Sequence, residues 1–252
     1  MGSTGNANTA NPQNAQPQPQ SQSLADDADK ATITQYYKDN YGIRVGGSYF
    51  RDGNDPRILV ETAKVLDTFT QELGADVMAE MGINLASHAL GPRAMGKTDI
   101  KSKQITVNSR LFKSLSALDA NMQRQANSHF HPANSLGADV ITHEVGHNLE
   151  FLINKRMNPN NTMRQWVADS NQTYAKAIVQ QAYAELKQEQ PHLYATEKQA
   201  RAAISGYADS KWHGTVAYTE CMAEAVADYG RNGNNANPLS RKIWAGIKAM
   251  LQ

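Results

Sequence analysis

Hydrophobic and polar positions alternate with helical or strand periods along most of this chain, and those periods predict its elements. From Pro56 to Leu73, Leu59, Val60, Ala63, Leu66 and Phe69 recur at helical spacing, with Gly74 as the stop. From Lys103 to Leu111 the period is two, with Ile105, Val107, Ser109 and Leu111 on one face and Thr106, Asn108 and Arg110 on the other. A helix over Ala31–Asn40 precedes a turn into a short strand at Tyr41–Val45, and Ile83–Leu90 reads as a second strand. Residues between Leu111 and Ala138 are rich in Asn and Ser and read as a polar connection. A further helix begins near Ala138, where Val140, Ile141, Val145, Leu149, Leu152 and Ile153 form one broad apolar stripe. Helices then follow at about 171–188, Thr196–Ser205, Val216–Tyr229 and Leu239–Leu251. The expectation is a helix-dominated α+β domain over residues 24–252, with a small sheet upstream of the helix at Val140.

Residues 1–23 break this pattern. They hold Asn, Gln, Pro, Ser, Gly, Thr and Ala, with Met1 the only large apolar side chain. Such a segment buries too little apolar surface to offset its ordering entropy, so it reads as a disordered tail or linker that tethers the domain to a larger protein or assembly.

Composition narrows the partners. A formal charge of +1 over 252 residues lacks the basic surface of a general nucleic-acid binder. No apolar run approaches the roughly 20 residues of a membrane span, and the N-terminus lacks the apolar core of a secretory signal. No membrane partner is expected, and a cytoplasmic or virion-associated protein is. The C-terminal helix sets Arg241, Lys242 and Lys248 opposite Ile243, Trp244, Ile247 and Met250. That pattern suits docking on the domain's own core better than lying on a membrane surface. One cysteine, Cys221, forbids an intramolecular disulfide and a thiolate cage for zinc.

The chemistry is concentrated on the helix near Val140. His143-Glu144-Val145-Gly146-His147 places two imidazoles four residues apart, and hence on one helix face, with a carboxylate beside the first. Both rings can reach one metal ion, and Glu144 can act as a base on water. Gly146 costs about 1 kcal/mol relative to alanine inside a helix, which suggests that a larger side chain there would obstruct the metal or a neighbouring helix. Two histidines are half a site. A histidine-supplied third ligand of the H-E-x-x-H-x-x-G-x-x-H kind is excluded, because Asn148–Ile153 contains neither the glycine nor the histidine. One later segment offers carboxylates at helical spacing: Glu220, Glu224 and Asp228, with no Lys or Arg between Lys211 and Arg231. Like charges at this spacing repel modestly, and a dication would turn that repulsion into binding. The spacing leaves Glu220 and Glu224 both open as the third ligand, since E-x-x-x-D also fits Glu224 and Asp228.

The run Glu220-Cys221-Met222-Ala223-Glu224-Ala225 resembles the E-F-F-A-E-A-F ligand helix of lethal-factor-like metallopeptidases, which are glutamate-ligand zinc peptidases (gluzincins). Similar domains accompany phage minor head proteins and some bacterial toxins. Ile204-Ser205-Gly206-Tyr207-Ala208 is similar to that family's S-x-Y-A segment, whose tyrosine lies near the metal. Cys221 and Met222 replace two aromatics, and the stretch from Tyr207 to Glu220 is longer than the family pattern.

The resemblance implies a zincin-like fold, with Zn2+ held by His143, His147 and Glu220 while Glu224 supports the site. It implies Glu144 as general base toward a peptide bond in a protein or peptide substrate. Tyr207, or else His213, would stabilise the oxyanion. The competing expectation is a phage or structural assembly protein that keeps the fold and a stabilising metal without proteolysis. An edge strand could hold an extended substrate by main-chain hydrogen bonds, and the segment from Ile105 to Ser109 is the candidate. His129 and His131 flank Phe130 and suggest at most a second metal, with Pro132 favouring an ordinary loop; His88 and His192 are isolated.

Overall fold

The computed structural model describes residues 23–169 and 173–252. All but one residue of the low-complexity segment, together with Ser170–Gln172, lies outside the described residues. The described chain is helix-dominated with a small mixed sheet. It opens with α1 (Lys30–Tyr41), β1 (Arg44–Val45) and α2 (Gly47–Arg51), followed by α3 (Arg57–Leu73), α4 (Ala75–Met81), β2 (Asn84–His88), β3 (Gly96–Asp99) and β4 (Gln104–Asn108). Next come α5 (Leu115–Asn127), α6 (Asp139–Met157), α7 (Met163–Asp169), α8 (Thr173–Glu189) and α9 (Glu197–Ile204). A hairpin of β5 (Lys211–Trp212) and β6 (Thr215–Val216) leads into α10 (Tyr218–Asn232) and α11 (Pro238–Leu251).

The amphipathic periods mark α3, α6, α9, α10 and α11 closely. Gly74 ends α3 at φ 97°, and the Thr196 side chain caps α9 by accepting from Gln199 N. The Asn- and Ser-rich stretch departs from the expected connection. It holds α5, whose only buried side chains are Leu118 and Met122, one turn apart, so the helical period rests on two positions.

The sheet runs β1-β2-β4-β3, with β1, β2 and β4 parallel and β3 antiparallel to β4. This corrects the expectation that the segment from Ile105 to Ser109 forms an edge. β4 pairs with β2 on one side (Leu85 opposite Ile105) and with β3 on the other (Thr98 opposite Ile105), so its main-chain groups are consumed within the sheet. The edges are β1 and β3, and beside β4 it is β3, which alternates half-buried Gly96 and Thr98 with exposed Lys97 and Asp99. Its lack of apolar side chains is why hydrophobic periodicity passes it by.

α6 lies between β3 and β4 on one side and α10 on the other; α10 in turn packs on α8 and α11. Asp139 at the start of α6 pairs with Arg231 near the end of α10 (2.8 Å), while Gly146 faces Ala223 at their midpoints, so the two helices run antiparallel. A Cβ on Gly146 would sit 2.8 Å from Ala223 Cα, a separation at which backbone must move. The glycine therefore sets the distance between the two helices. On α11, Ile243, Trp244 and Ile247 are buried, and Lys248 meets Glu72 at 2.8 Å, so its apolar face is spent on the core rather than on a membrane surface. Among the described residues no helix is long and apolar enough to cross a membrane.

Candidate metal centre

The two antiparallel helices set their polar positions against each other at one level. His143 Nε2 lies 3.2 Å from Glu220 Oε2, and His147 Nε2 lies 3.6 Å from the same oxygen. One donor atom from each of the three residues falls within 4.8 Å of the others, so His143, His147 and Glu220 could hold a metal ion. Glu220 Oε2 is buried without a hydrogen-bond partner, which is a costly state unless a cation is bound there. Two neutral imidazoles and a carboxylate form a three-ligand set that leaves a fourth position open.

Glu224 sits one turn further along α10 and behind the histidine. Its Oε1 is 2.9 Å from His143 Nδ1, within ion-pair reach but off the line of that N–H. The other carboxylate oxygen accepts from Ser205 Oγ (2.8 Å), and Ser205 Oγ itself accepts from Ala208 N (2.9 Å). The Ser205–Ala208 segment is thus anchored to the site through its serine. This geometry separates the two glutamates: Glu220 faces both ring nitrogens of the candidate metal position, and Glu224 faces the far nitrogen of His143, where it can fix the ring's orientation. Asp228, the third member of the acidic series, accepts from Asn232 Nδ2 and Asn237 N and takes no part. All three carboxylates are buried, so the series is not a solvated face.

The electrostatics are those of a cation site. Burial would raise the Glu220 carboxyl, yet the imidazoles of His143 and His147 beside it hold it well below the usual carboxylate range. Burial would likewise lower His143, but Glu220 and Glu224 overcome this and push its pKa well above an ordinary histidine's. A positive charge is therefore strongly favoured between the two carboxylates. A dication bound by the neutral ring would replace the proton that otherwise supplies that charge.

Glu144 points to the sheet side of α6. Thr98 Oγ1 on β3 donates to Glu144 Oε2 at 2.6 Å. Gly96 makes room for the carboxylate, since a Cβ there would lie 2.7 Å from Oε1. Two cavities flank this point, of about 360 and 310 Å³, and Gly96, His143, Glu144 and Tyr207 line both. The ring of Tyr207 stacks on that of His143 (centroids 5.9 Å, planes 20° apart). Burial raises the Tyr207 hydroxyl far above its usual range and Glu220 adds to the effect, so it stays a proton donor. His213 is not brought to the site: it occupies the exposed turn of the β5–β6 hairpin at φ 49°. His88 and His192 are exposed.

His131 is the residue that sequence reasoning assigned to an ordinary loop. Its Nδ1 donates to Glu224 Oε1 at 3.1 Å, and it lines the larger cavity. His129 has a different part, donating from Nε2 to Ala202 O, while the carbonyls of His129 and Phe130 accept from Gly206 N and Tyr207 N. The two histidines clamp the Tyr207 segment and Glu224. His131 and Glu224 are 93 positions apart, and no local pattern announces the pair.

No protein-family model, curated protein or solved structure matches this chain.

Proposed function

We propose that the chain is a zinc-dependent hydrolase of peptide bonds with a zincin-like catalytic domain. The observation that carries this reading is the meeting of His143, His147 and Glu220 with Glu144 beside the first histidine, all four lining the smaller cavity. Two histidines and a glutamate with an open fourth position suit zinc. Zinc bound there would act as a Lewis acid, acidifying water to a pKa of about 7 and polarising the carbonyl.

The chain's own residues supply the rest. Glu144, oriented by Thr98, takes the proton from the attacking water and returns it to the leaving amine. Tyr207 donates a hydrogen bond to the carbonyl oxygen as negative charge develops there. Glu224 holds His143 in the tautomer that presents Nε2. The free side of β3 offers main-chain groups to an extended substrate beside Glu144. A formal charge of +1 favours a protein or peptide substrate over nucleic acid.

The test is digestion of a peptide library by the zinc-loaded protein, with and without chelator, alongside Glu144→Gln. Chelator-sensitive cleavage is expected, with turnover lower by about 10²–10⁴-fold in Glu144→Gln at unchanged zinc content. Zinc bound without cleavage would overturn the reading and favour a stabilising metal in an assembly protein.

A further inference from the structure

The smaller cavity carries features that the proposed hydrolysis does not use. Glu150 lies two turns along α6 from His143 and one from His147, and it lines this cavity. Glu150 is 2 % exposed and, among the described residues, its Oε1 has no hydrogen-bond partner; the backbone N–H of Ala175 in the first turn of α8 favours the charged form of its carboxyl. Thr219, on α10, lines the same cavity with its Oγ1 buried and equally without a partner. Trp212 of the β5–β6 hairpin forms the rim and is 44 % exposed, unusual for so large an apolar ring. Lys97 also reaches the rim from β3, exposed and on the side of Asp99, and forms no ion pair with Glu150 among the described residues. The Tyr207–Glu220 stretch, longer than the pattern it resembles, is thus the hairpin that brings Trp212 to the cavity.

From this placement we propose that the smaller cavity binds a cationic amine or guanidinium of the substrate, its charge met by Glu150, a donor of it by Thr219, and its alkyl or cationic body by the face of Trp212. A buried acceptor left unpartnered is costly, and a donor-bearing ligand removes that cost. An exposed indole and a carboxylate lining one cavity favour a cation over a neutral chain of equal length. At about 310 Å³ the cavity admits a lysyl or arginyl side chain. The proposal rests on the peptidase reading only for the nature of the carrier, a peptide.

The experiment is a binding comparison in zinc-loaded Glu144→Gln protein, so that no turnover is needed. Fluorescent peptides blocked at both ends and differing only in lysine against norleucine are titrated by anisotropy, with a second set bearing a free α-amine. The lysyl peptide is expected to bind at least about tenfold tighter. Adding Glu150→Gln brings the lysine-to-norleucine ratio toward one, and adding Trp212→Ala, on an exposed hairpin, lowers it several-fold. Preference within the blocked set assigns the cation to a side chain; preference only for the free amine assigns it to the substrate's N-terminus. A parent ratio of one in both sets, or a ratio that Glu150→Gln leaves unmoved, overturns the proposal. n-Butylammonium compared with n-butanol, followed by Trp fluorescence, probes the cavity without any peptide. Cation binding there, with no peptide cleavage by the zinc-loaded parent protein, would sink the hydrolase reading alone.

Discussion

Glu220 and Glu224 have the same side chain, lie one turn apart on one helix and are both buried, yet they face different atoms. Glu220 presents an unpartnered oxygen to two Nε2 atoms, whereas both oxygens of Glu224 are engaged by Ser205, His131 and the far side of His143. A residue that orients a metal ligand costs about 10–100-fold in affinity when removed. Glu224→Ala is therefore expected to weaken zinc binding by that factor, measured by competition with a chromogenic chelator, while leaving one zinc per chain at saturation. Affinity equal to the parent would contradict the orienting role. Helical spacing left both candidates open because it places them on the same face; the resemblance pointed to Glu220, and the partner helix sets the two glutamates against different atoms. Glu150 was in principle legible, since a carboxylate three residues after His147 prolongs the motif's face; His131 was not, because its partner is distant in sequence.

At the scale of elements, the α6–α10 pair carries the centre, and its spacing is set where Gly146 meets Ala223. Alanine at position 146 gains about 1 kcal/mol of helix propensity but overpacks an interface, which costs about 1–3 kcal/mol. Gly146→Ala should lower stability by about 1 kcal/mol in urea unfolding. It should also weaken zinc binding, because it moves His143 and His147 away from Glu220. A stabilised variant with parental affinity would show that the close approach is unimportant. The long amphipathic helices were legible because their apolar stripes repeat over several turns. α2, α4 and α7 span five to seven residues, too short for a period to emerge, and β5 and β6 span two residues each. β3 was hidden for a different reason: it binds its neighbour through main-chain pairing and contributes no apolar side chain.

Over the whole molecule, carboxylates tie the helices together and set the response to acid. Hydrogen bonds from Arg57 lower Asp55 to about 2, and its carboxylate also holds Leu115 N at the start of α5. Burial would raise Glu72 and Glu80, but Lys248, Trp244 and Tyr229 around the first and Arg156 around the second leave both below the ordinary value. Groups lowered on folding stabilise fully above their unfolded pKa, about 4, and lose that contribution as pH falls through the folded value. Glu150, raised by burial and by Glu220, acts in the opposite sense, favouring the fold as pH drops through its elevated pKa. The melting temperature should therefore hold or rise on mild acidification and fall steeply below about pH 4. A melting temperature flat from pH 5 to pH 2 would contradict these assignments. The central claim, a metal centre shared between α6 and α10, is tested most directly by zinc content per chain in native mass spectrometry. The account predicts one zinc in the parent and in Glu144→Gln, and none in Glu220→Ala at the same zinc concentration; undiminished zinc in Glu220→Ala would contradict it.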